Sequence, residues 1–172
     1  MEYAALVTWL FTAVFGFVML ATWVSHGGAR AGAGQASHFR PPVVFGHFLL
    51  AVAGLVVWLV YLVNDSSVLA WVAFVDLVVV ALLGETLVFR WSKDRRAATA
   101  TGTGAATAPA NGAAGRDGTG LGDTLTGRAA TQPAAGGLAE QRFPVPVVAA
   151  HGLFAVATVV LVFLTALGVG GS

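Results

Sequence analysis

Four runs of about twenty residues, almost free of charge, limit what this chain can fold into. They cover 3–23, 43–63, 68–89 and 145–169. At 1.5 Å per residue, about 20 apolar residues in a helix cross the roughly 30 Å hydrocarbon core of a bilayer. No water is available there to satisfy the backbone, so such runs cross as helices that bond internally. The second run is broken only by His47, the third carries Asp76 and Glu85, and the fourth carries His151. Only 10% of the 172 residues are charged, against about 25% in a typical soluble domain, and the mean hydropathy is +0.81. The fold expected is all-α, a four-transmembrane-helix bundle in contact with lipid. Its first three spans fall at about 3–25, 43–63 and 68–90 within 1–91, and the fourth span with a short outer tail lies in 144–172.

The first run is read as a retained helix. A signal peptide competes, and Ala29-Arg30-Ala31 resembles a cleavage site. However, Glu2 stands where a basic segment belongs, and the apolar stretch is too long. Orientation follows from the nine Lys and Arg residues. Arg30 and Arg40 lie between the first two spans; Arg90, Lys93, Arg95, Arg96, Arg116, Arg128 and Arg142 lie between the last two. All nine therefore fall on one side, which the positive-inside rule makes cytoplasmic. Both termini are then expected outside the cytoplasmic membrane of a bacterium. Trp9, Trp23, Trp71 and Trp91 lie toward span ends, where interfacial aromatic anchors belong.

Between the second and third spans, Asn64-Asp65-Ser66-Ser67 predicts a tight turn and a helical hairpin. Residues 92–143 form the cytoplasmic connection. Its part 97–139 is built from Ala, Gly, Thr and Pro with only three leucines, too little apolar surface to offset ordering, which predicts a disordered linker. Such a Thr-rich segment is a phosphorylation site, a partner tether or, the favoured reading, a tolerated insertion. The basic run from Arg90 to Arg96 reads as an orientation signal in touch with anionic lipid, not as a nucleic-acid surface.

An internal repeat becomes visible when the histidine-bearing spans are aligned. Pro42-Val43-Val44, His47, Leu49 and Ala51-Val52-Ala53 recur at a constant offset of 104 as Pro146-Val147-Val148, His151, Leu153 and Ala155-Val156-Ala157. The two spans also run the same way. A parallel duplication of a two-helix unit explains both facts. Aligning the other two spans on Trp9 and Trp71 adds little. Pro41-Pro42 and Pro144 to Pro146 sit where helices begin and where a missing N–H costs nothing.

Both histidines should therefore reach one depth near the cytoplasmic face. Glu85, five residues before Arg90, is expected at the same level, with His26 near that surface. Asp76 lies about 13 Å away along the third span and on another face. Ionisable residues inside a bilayer are costly and point to function. Three readings follow. His47 and His151 are the axial ligands of one b-type haem, with Glu85 or Thr158 beside them. Alternatively, His47, Glu85 and His151 bind a divalent metal or relay protons. Finally, the imidazoles are structural, and the protein is an accessory subunit of a membrane complex or a homo-oligomer. The absence of cysteine excludes disulfides, thiolate metal sites and thioether-linked haem. His38 is expected to be an interfacial loop residue. No nucleophile–base triad, P-loop or dinucleotide fingerprint occurs, so an enzyme is not the favoured reading.

The stretch from His151-Gly152-Leu153-Phe154 to Ala157, with the following Val/Leu run and Gly168, resembles small uncharacterised four-helix membrane proteins of high-GC actinobacteria. The bias to Ala, Gly, Val and Arg is similar too. The resemblance covers the helices and implies no activity.

Overall fold

The computed structural model describes residues 1–30, 37–105 and 138–169. It is all-helical, with four helices long and apolar enough to cross a membrane. These are α1 (Glu2–Ser25), α2 (Pro41–Asn64), α3 (Ser67–Ala105) and α4 (Val145–Ala166). A short 3₁₀ turn, Ala139–Arg142, leads into α4. Prolines occupy the first turns of α2 and α4 as expected, behind extended residues Arg40 and Pro144. Only Asp65 and Ser66 separate α2 from α3. Asp65 adopts a left-handed φ of 49° and donates its N–H to the Tyr61 carbonyl, ending α2 in the way that lets the chain reverse.

Around the bundle, α1 packs along α4, α4 against α3, and α3 along α2, whereas α1 and α2 scarcely touch. The α1–α2 seam is bridged by edge-on ring contacts, Phe17 with Phe48 and Trp23 with Phe45. Each histidine-bearing helix therefore packs chiefly on the non-histidine helix of the other repeat. The outward surface is apolar, with Phe11, Val14, Leu49, Val56, Leu82 and Val156 among the exposed residues. That surface suits lipid and would be a liability in water.

Two buried clusters fill the interior. One, nearer the α2–α3 turn, centres on Trp9, Trp58, Tyr61, Ala73 and Val162. The other, at the basic end, joins Trp23, Phe39, Ala139 and Phe143. The helices of the two repeats correspond at fixed offsets. Between α2 and α4 the offset is 104: Phe39 and Phe143 are both buried and lie 6.3 Å apart. Between α1 and α3 it is 68: Ala5 and Ala73 are both fully buried, and Trp23 and Trp91 pack in one cluster. Trp71, the residue that the sequence suggested as the partner of Trp9, instead lies exposed against Phe74 and Phe163.

The expected linker 97–139 is ordered at both ends. Helix α3 runs on past the end of the expected third span to Ala105, giving 39 residues. Arg and Lys at 90–96 are compatible with a helix, and nothing before Gly102 breaks one. At the other end, Ala139 and Glu140 are packed inside the basic end of the bundle. The expected disorder of 106–137 lies outside the described residues.

Candidate functional site

His47 and His151 are each the seventh residue of their helix, so the local sequence sets them at one depth. Their rings face each other across the bundle with centroids 6.3 Å apart and planes inclined by 58°. Both are largely enclosed by the four helices.

Each ring is anchored in the same way. His47 Nδ1 lies 3.0 Å from the Val80 carbonyl of α3, and His151 Nδ1 lies 2.9 Å from the Thr12 carbonyl of α1. A carbonyl oxygen can only accept, so a neutral imidazole here carries its proton on Nδ1. Nε2 is then the nitrogen with the free lone pair in both rings. A helical side chain covers the turn before it, so the residue four positions on normally shields a carbonyl. Here those residues are Gly84 and Gly16. A β-carbon on Gly84 would lie 3.2 Å from His47 Cε1, and one on Gly16 would lie 3.1 Å from His151 Cε1. Glycine thus lets a side chain from another helix reach a carbonyl that helical packing would otherwise cover. The 68-residue offset relates Thr12 to Val80 and Gly16 to Gly84, so the two halves build the same socket.

The other expected members of the site lie elsewhere. Glu85 follows Gly84 by one residue, is rotated about 100° away from the His47 side, and is exposed. Among the described residues it is not a hydrogen-bond partner of either imidazole. His26 is exposed at the end of α1, with Nδ1 2.7 Å from the Thr22 carbonyl. Thr158 is buried two helical turns from His151, its hydroxyl 2.9 Å from Thr8 Oγ1 and 2.8 Å from the Phe154 carbonyl. The positions equivalent to Thr8 and Thr158 are Asp76 and Gly54. The Asp76 carboxylate occupies the space that a β-carbon on Gly54 would need, and its Oδ2 is buried without a hydrogen-bond partner.

The glycines and carbonyls of the sockets were the parts the sequence reading missed. A search of α1 and α3 for small residues at one spacing would have found Ala5/Ala73, Ala13/Ala81 and Gly16/Gly84. Comparison of the chain with protein-family models, curated proteins and solved structures found no match.

Proposed function

We propose that His47 and His151 are the two axial ligands of one b-type haem, held near the inner face of a bacterial cytoplasmic membrane with both chain termini outside. The observation that carries this reading is the pairing of the two rings: they face each other at one depth with centroids 6.3 Å apart, close enough for both to reach one metal ion. Supporting it, the carbonyl bonds orient both rings and leave Nε2 as the coordinating nitrogen, the arrangement usual for metal-bound histidine.

A bound haem would supply a one-electron carrier. The chain's own contribution is to fix the tautomers, to hold the rings by backbone carbonyls that cannot swing away, and to exclude water with apolar helices. With a single ligand pair at the basic end, electrons would be exchanged with a partner at that face. The metal or proton reading required Glu85 beside the imidazoles, and its exposed position weakens that reading.

The test is the visible spectrum of the protein purified in detergent after expression with haem supplied. A Soret band is expected, and it should vanish in His47→Ala and in His151→Ala. A colourless wild-type protein of intact helicity rejects haem and leaves the imidazoles a packing role in an accessory subunit.

A further inference from the structure

A second cluster of ligating side chains lies at the basic end, beside the charged stretch of α3 that contains Arg90, Lys93, Arg95 and Arg96. We propose that His38, Asp94 and Glu140 form a binding site for one divalent transition-metal cation such as Zn²⁺. The three residues come from separate segments: the approach to α2, the extension of α3, and the 3₁₀ turn before α4. One ligand atom from each lies within 4.8 Å of the others. Tetrahedral bonds of about 2.0–2.2 Å to a common cation would need these atoms about 3.3–3.6 Å apart, so closure draws ligand atoms now within 4.8 Å together by side-chain movements of about 1 Å.

The unsatisfied groups point to a cation. Glu140 is 0% exposed. Its Oε1 accepts the His38 backbone N–H at 2.7 Å, but Oε2 is buried with no hydrogen-bond partner. Asp94 repeats the pattern. Its Oδ1 lies 3.0 Å from His38 Nδ1, while Oδ2 is buried and unpartnered. Two carboxylates each holding one oxygen out of water without a donor form an expensive arrangement. A dication supplies what both lack. The nearby arginines do not: Arg90 reaches the His38 carbonyl at 3.5 Å, and Arg95 lies over the Trp91 ring.

One imidazole and two carboxylates are a borderline-hard donor set that suits Zn²⁺ or Mn²⁺ and leaves coordination positions for water. The side chain of His38 is 58% exposed, which gives an ion access from the aqueous side. The loop behind it is pinned, since Trp23 Nε1 donates to Ser37 Oγ at 2.8 Å. Bound metal would tie the entries of both histidine helices to α3. Asp94 lies ten residues beyond Gly84, about 15 Å of helix, so this site is separate from the imidazole pair and does not depend on haem.

The experiment is a calorimetric titration of the chelator-stripped full chain in detergent with Zn²⁺. Wild type should take up one equivalent at micromolar free zinc or below. Glu140→Gln should weaken it by more than about a hundredfold, beyond the effect of losing an outer partner. The same stoichiometric binding should survive in His47→Ala/His151→Ala. His38→Ala removes an exposed ring and leaves the core intact, so it keeps the test decisive if Glu140→Gln misfolds. Absence of stoichiometric binding in wild type, or binding unchanged in His38→Ala, overturns the proposal.

Discussion

At the level of the imidazoles the α1–α4 pair and the α2–α3 pair are near copies, and two helical turns on, toward the α2–α3 connection, they are not. In the first pair Thr8 and Thr158 meet oxygen to oxygen at 2.9 Å. In the second, Asp76 lies over Gly54. Two medium side chains fill the gap on one side; one larger acid over a bare backbone fills it on the other. Close packing requires that the volume be occupied and leaves open which helix supplies it. The socket is stricter, because a β-carbon at Gly16 or Gly84 would stand 3.1–3.2 Å from the ring and push it off its carbonyl by a few tenths of an ångström.

The largest effect should come from filling the sockets. Gly16→Leu and Gly84→Leu should each destabilise the bundle by about 1–3 kcal/mol through overpacking, measured by denaturant unfolding in detergent. Equal losses would sharpen the equivalence of the two halves; tolerance of one alone would break it. Next, Gly54→Thr should cost about 1–2 kcal/mol by forcing Asp76 aside, and adding Asp76→Thr should recover most of that. Purely additive costs would show that the threonine pair cannot be rebuilt in the second half. The smallest difference concerns the two equivalent tryptophans. Trp23 donates its N–H to Ser37, whereas Trp91 Nε1 is buried without a partner. Trp23→Phe should therefore cost about 0.5–1.5 kcal/mol more than Trp91→Phe, and equal midpoints would contradict that assignment.

How much was legible in the sequence depended on chemical contrast. Apolar runs among charged loops announced four spans, because length and charge decide insertion. Proline and histidine recurring together exposed the 104-residue offset, since both are rare in such helices. The 68-residue offset went unread because Val, Leu and Ala match one another at almost any spacing, and Trp9 with Trp71 offered a more conspicuous wrong alignment. Glu85 is one residue from Gly84, which meets His47, but depth does not decide direction: one residue of rotation sends it outward, and it is exposed. His38 reads as a loop residue in the sequence and lies in one in the structure; its two acidic neighbours, 56 and 102 positions away, come beside it only through the fold.

Three of the four seams of this ring are closed, and the one between α1 and α2 is held chiefly at its aromatic contacts. Such a ring yields most easily at its weakest join, and that join faces the hydrocarbon. Were the proposed haem to enter between the imidazoles, this join, where α1 and α2 meet chiefly through rings, is where the bundle would part most easily.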